Sequence, residues 1–153
     1  MFDVLINAQE QLADGLRRRI EAAGDSWTSR LSAAIVVHIK ICAEQAFPTT
    51  INRVDMQRLT PEHRAEYMAM RDAYEQELRS LVRGGIEAGE LRPVDPKLTA
   101  FAILGIGQSV GRWYRADGPL TPEQIAEQYV DFILAGLRQG ESVPGSVALR
   151  SVD

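Results

Sequence analysis

The sequence predicts an all-α fold: a bundle of five to six helices forming one domain. Three observations carry that expectation. Apolar residues recur at steps of three and four through long stretches. Three cap residues stand directly before proline, at Thr60-Pro61, Asp95-Pro96 and Thr121-Pro122, and this pairing opens helices. No segment shows the period-two alternation, rich in Val, Ile or Thr, that a strand requires.

The first helix covers residues 2–22, with Phe2, Leu5, Ile6, Gln9, Leu12, Ala13, Leu16 and Ile20 on one face. Arg17, Arg18 and Arg19 sit near its C-terminal end, where cations suit the helix dipole, and Gly24 follows as the stop. The second helix starts at Asp25 or Ser26, both good caps. It turns Trp27, Leu31, Ala34, Ile35, His38, Ile41 and Cys42 inward, and it ends before Phe47-Pro48, because a residue preceding proline avoids the helical region. Residues 48–59 form a connector with one short helical turn around Ile51, Val54 and Met56. The third helix is long, residues 61–88, capped by Thr60 and stopped by Gly89; its stripe is Tyr67, Met70, Tyr74, Leu78, Leu81, Val82 and Ile86. The fourth runs from Asp95-Pro96 to Arg115 and is apolar or small nearly all round from Leu98 to Tyr114, so it is buried on several sides. Gly105, Gly107, Ser109 and Gly111 lie inside it. Each glycine costs about 1 kcal/mol there, which implies close approach by another backbone. The fifth opens with a capping box, Thr121 with Gln124, shows Ile125, Tyr129, Phe132, Ile133 and Leu137 on one side, and ends at Gly140. Residues 1–140 are thus the folded domain, and the Ser-, Gly- and Pro-bearing stretch 141–153 is a flexible tail.

Composition excludes several function classes. The chain has 153 residues, enough to bury roughly 70% of its unfolded surface. Its 17 basic and 21 acidic residues give a net charge of −4, unsuited to holding nucleic acid without help. One cysteine excludes an internal disulfide and points to a reducing cytoplasm, and two histidines with it cannot make a Cys/His zinc site. No apolar run approaches the ~20 residues of a membrane span, and the N-terminus does not read as a signal peptide. The acidic residues Glu62, Glu66, Asp72, Glu75 and Glu77 read as a solvated helix face with partners such as Arg71 and Arg79. There is no isolated carboxylate pair, no G-x-S-x-G, no phosphate loop and no Cys–His neighbourhood for nucleophilic attack. Gly105-Ile106-Gly107 sits inside a helix, not at a strand-to-helix turn, so it is no dinucleotide fingerprint. Neither an enzyme nor a bound cofactor is expected.

The second half of the chain carries an ordered set of motifs. Gly85-Ile86-Glu87-Ala88-Gly89-Glu90-Leu91-Arg92 is followed by Asp95-Pro96, Gly111-Arg112-Trp113-Tyr114, Leu120-Thr121-Pro122-Glu123-Gln124-Ile125 and Leu134-Ala135-Gly136-Leu137. This set resembles the C-terminal half of TetR-family transcriptional repressors, with the best match to the branch governing fatty-acid and sterol catabolism. The resemblance covers residues 1–138. TetR repressors carry an N-terminal helix-turn-helix of roughly 50 residues, and here Met1-Phe2-Asp3-Val4-Leu5 resembles the first turn of the helix that follows it. The DNA-reading head is therefore expected to be absent from this chain, as a fragment, a misplaced start or a natural headless form.

The resemblance implies a homodimer with no membrane partner, whose last two long helices pair with their copies through Ile106, Val110, Ile125, Tyr129, Phe132 and Ile133. It also implies a pocket for an apolar molecule or coenzyme A ester among the preceding helices. His38, Met70, Tyr74, Gln108, Arg112 and Trp113 are the candidate ligand contacts. For each, a plainer reading stands beside the functional one. His38 can be a core histidine with a hydrogen-bond partner, or a metal ligand. Tyr67, Met68, Met70 and Tyr74 can be core packing, or the adaptable lining of a pocket. Gln108 needs a polar partner or sits at the ligand or interface. Arg112 suits a carboxylate or phosphate and Trp113 an adenine, but both also suit an interface or helix end, and Arg115 shares that ambiguity. Cys42 reads as a small buried hydrophobe. The run Arg17–Arg19 reads as a solvated helix end, or as a contact for DNA or a ligand phosphate. The alternative to a sensor is a ligand-free helical module that heterodimerises with full-length repressors.

Overall fold

The structure, a computed structural model, describes residues 2–44 and 53–140. Six helices follow one another: α1 (Phe2–Ala22), α2 (Trp27–Glu44), α3 (Arg53–Arg58), α4 (Pro61–Glu87), α5 (Pro96–Trp113) and α6 (Pro122–Leu137). The short turn expected in the connector is α3, while Ile51, the stop at Phe47-Pro48 and the tail 141–153 lie outside the described residues.

The cap-and-proline signals act as expected. The Thr60 side chain accepts from the His63 amide, Asp95 from Leu98, and Thr121 from Gln124, whose own side chain returns to the Thr121 amide to complete a capping box. Helix α2 occupies the middle of the bundle and packs against α1, α4, α5 and α6. Its Leu31, Ala34, Ile35 and Ile39 are wholly buried for that reason. A satellite cluster of Leu5, Leu59 and Tyr67 closes the end where α1 begins, with the Phe2 ring stacked on His63.

Helix α5 meets α2 through glycine. An added Cβ at Gly107 would lie 2.2 Å from His38 Nε2, and one at Gly111 would lie 2.9 Å from the Cys42 carbonyl oxygen. The expected approach of another backbone is therefore made at Gly111, whereas Gly107 makes room for the His38 side chain and Gly105 faces open space.

The segment after α4 explains much of the motif read from sequence. Gly89 takes φ of 75°, a left-handed conformation that favours glycine. The amides of Gly89 and Glu90 turn back to the carbonyls of Ile86 and Gly85, a Schellman ending. That turn buries Leu91 and delivers the Glu90 carboxylate to the start of α2. There it accepts from Ser26 Oγ at 2.8 Å and from the Trp27 amide at 3.0 Å. Next along, the Arg92 amide donates to the Leu137 carbonyl at 2.8 Å, tying the α4–α5 turn to the end of α6.

The Ser26 hydroxyl, then the Trp27 and Thr28 amides, hold the Glu90 carboxyl below its ordinary 4.5. A carboxyl lowered in the folded state stabilises fully above its unfolded value and loses that contribution as pH falls through the folded one. The Tm difference between the native protein and Glu90→Gln is therefore expected to be level near neutral pH and to shrink as pH falls below 4.5. A gap unchanged on acidification, followed by circular dichroism melts, would exclude the charged cap.

Candidate functional site

Helices α1, α2, α4 and α5 line a half-open cavity of about 390 Å³. Helix α1 supplies Gln9 and Leu12, and α2 supplies His38. Helix α4 adds Met68, Arg71, Asp72, Tyr74 and Glu75, and α5 adds Phe101, Leu104, Gly105 and Gln108. Both long helices contribute residues at steps of three and four, which is the single face that a helix can turn to a cavity.

Three of the candidate ligand contacts meet here: His38, Tyr74 and Gln108. Met70 does not. It lies two residues past Met68, about 200° round the helix, so Met68 takes the lining place and Met70 points elsewhere. Arg112 and Trp113 are exposed at the end of α5, outside the lining. Arg112 nevertheless stands four residues beyond Gln108, on the same stripe and one turn further out. Arg115 is occupied by Asp117 at 3.1 Å.

His38 and Tyr74 form the polar heart of the cavity wall. His38 Nδ1 lies 3.0 Å from the Tyr74 hydroxyl, and Nε2 lies 3.3 Å from the Leu104 carbonyl oxygen. Burial pushes the imidazole down to about 4, against a smaller opposing pull from the Leu104 carbonyl. The ring is thus neutral at physiological pH. Burial, with smaller contributions from Cys42 and Glu77, pushes the Tyr74 phenol up, so it keeps its proton. Cys42 Sγ is 3.8 Å from His38 Nε2. Among the described residues, no group of three or more His, Cys, Asp or Glu is placed to hold a metal.

Sequence reasoning missed the charged part of the lining. Asp72 and Glu75, expected on a solvated face, line the cavity together with Arg71. Asp72 is exposed, and Glu75 forms the expected pair with Arg79, both of them half-buried. Gln9 carried a signal: it is a polar residue on an otherwise apolar face. It is buried, with its amide 3.5 Å from the Tyr67 hydroxyl.

Of the arginine run, Arg17 reaches Asp14 at 3.7 Å. Arg18 and Arg19 flank a second groove together with Lys40, whose ammonium pairs with Glu123 at 3.0 Å.

The residues expected at a subunit interface divide. Val110, Ile125 and Ile133 are taken up by this subunit's own core, which leaves them little surface to offer a second copy. Ile106 and Tyr129 are half-buried against that core. Phe132 is 71% exposed, and Leu98 on α5 is 63% exposed. Among the described residues, no helix is long and apolar enough to cross a membrane.

A family model described as tetracyclin repressor-like, C-terminal domain, matches residues 24–137. The chain belongs to this family. That membership makes it a regulator's domain and not an enzyme.

A curated relative, the HTH-type transcriptional repressor KstR2 of Mycobacterium tuberculosis, is 28% identical over 110 residues, which cover 71% of this chain and 55% of that protein. The chain thus spans about half the length of this relative. The KstR2 structure, a ketosteroid transcriptional regulator, superposes with a TM-score of 0.80 at 23% identity, covering 91% of this chain and 71% of that one. PfmR, a TetR-family regulator from Thermus thermophilus, gives a TM-score of 0.76 at 30% identity over 90% of this chain and 75% of that one. AibR, solved in complex with isovaleryl coenzyme A and operator DNA, gives 0.70 at 25% identity over 86% of this chain and 71% of its own. The all-α TetR C-terminal architecture expected from sequence is the one observed.

Proposed function

We propose that this chain is the effector-sensing and dimerisation domain of a TetR-like repressor, binding an apolar small molecule or acyl-coenzyme A ester that relieves repression. The observation that carries this reading is the cavity of about 390 Å³ among α1, α2, α4 and α5, within the usual range for small-molecule sites. Its wall mixes apolar side chains such as Leu12, Met68, Phe101 and Leu104 with polar and charged ones, a composition that gives orientation as well as affinity. An effector that favours one of two helix arrangements shifts the equilibrium between them, and with it the spacing of two reader heads.

DNA contact falls to a helix-turn-helix unit, because a domain of net charge −4 does not neutralise phosphates. The exposed apolar residues Leu98 on α5 and Phe132 on α6, with Ile106 and Tyr129 half-buried, support homodimer formation through these helices. Arg112, one turn outward from the cavity, suits the phosphates of a coenzyme A ester whose acyl part enters between the helices. AibR, similar in fold, is solved with such an ester, and KstR2 is described as a ketosteroid regulator, so lipid or sterol catabolism is the expected context. The expected compartment is the cytoplasm.

Native mass spectrometry with a panel of acyl-coenzyme A esters tests the reading. A mass near twice 17.0 kDa that gains one ester per subunit supports it. A dimer that takes up nothing favours the ligand-free interaction module. In the same experiment Arg112→Ala is expected to weaken ester binding by about 1.5–3 kcal/mol, the scale of a charged hydrogen bond, with the dimer intact. Loss of the dimer at unchanged ester affinity would instead assign Arg112 to the interface.

A further inference from the structure

The proton positions at the cavity wall follow from a carbonyl that cannot change role. The Leu104 carbonyl oxygen only accepts, and it lies 3.3 Å from His38 Nε2. Nε2 therefore carries the proton of the neutral ring, since a bare nitrogen there would set two lone pairs face to face. Nδ1 is then the bare nitrogen, and at 3.0 Å it accepts from the Tyr74 hydroxyl. The single phenolic proton is thereby committed to His38. What Tyr74 has left for the cavity is oxygen lone pairs.

We infer that the Tyr74–His38 pair makes this wall an acceptor and selects an effector that donates there, an alcohol in preference to the corresponding ketone. The inference rests on the effector reading of the cavity and adds the polarity of the group that the effector turns to this wall. A ketone oxygen placed against Tyr74 would meet a second acceptor with both already out of water, a buried mismatch that costs more than a hydrogen bond gains. Tyr74 is the specificity-determining contact, and His38 is a positioning residue that fixes the direction of the Tyr74 proton.

A matched pair of probes, decalol and decalone, differs only in this group, and calorimetric titration reads the ratio of their affinities. The alcohol is expected to bind about tenfold more tightly to the native protein. Tyr74→Phe is expected to bring the ratio to about one. His38→Leu frees the Tyr74 proton to turn into the cavity, so the ratio is expected to invert in favour of the ketone. A purely structural His38 would weaken both probes alike, which overturns its positioning role. Equal binding by the native protein, or a preference for the ketone, overturns the inference and leaves the cavity as an effector site. Binding of neither probe up to its solubility limit overturns the effector reading of this cavity and the inference with it. If His38→Leu fails to fold, the native ratio and Tyr74→Phe still decide.

Discussion

Phe132→Asp is expected to turn a dimer into monomers at low micromolar concentration, read by sedimentation velocity. The ring is 71% exposed on α6, and Ala135 and Gly136 on the same outer side are exposed too. An added Cβ at Gly136 would meet nothing within 4 Å, so the surface there is low enough for another helix to approach. Burying a phenylalanine contributes about 1.5–3 kcal/mol. Two-fold symmetry counts each substitution twice, so about 3–6 kcal/mol is lost, a factor of roughly 150 to 20,000 in dimer dissociation. The isolated subunit hardly uses the ring, so its melting temperature is expected to change little. A dimer that persists with unchanged affinity would remove α6 from the interface.

The contrast between Phe132 and its neighbours shows where sequence patterning stops being informative. Caps and stops were legible because each acts within four residues: Thr60, Asp95 and Thr121 satisfy amides of their own first turns. Apolar faces were legible as faces. What periodicity does not encode is whose atoms cover them, so Val110 and Ile125, expected at a subunit interface, fill this subunit's core instead. The same blindness moved the α4 lining from Met70 to Met68, since a nearly continuous run of large side chains offers two faces. Glu90 capping α2 joins residues 64 positions apart in sequence, and no local pattern announces such a partner. His38, Tyr74 and Gln108 were visible as polar groups among apolar ones, a discrepancy that needs a partner wherever it is buried.

Two neighbouring glycines of α5 are expected to respond with opposite signs. At Gly107 an added Cβ lies 2.2 Å and 2.3 Å from His38 Nε2 and Cδ2, and 3.1 Å from Cys42 Sγ. The His38 ring cannot swing aside cheaply, because Tyr74 and the Leu104 carbonyl hold its two nitrogens. Gly107→Ala therefore sets the roughly 1 kcal/mol that alanine gains in a helix against overpacking of about 1–3 kcal/mol and a broken buried hydrogen bond of similar size. The net loss is about 1–5 kcal/mol, a Tm lower by about 3–15 °C for a domain of this length. At Gly105 the added Cβ meets nothing within 4 Å. Gly105→Ala keeps the helical gain of about 0.5–1 kcal/mol with no clash to offset it, so Tm rises by a few degrees. Melts of the two variants under one buffer decide the matter. A shift of the same sign in both would mean that α5 does not rest on α2 through Gly107, and the proton arrangement at His38 would lose its structural basis.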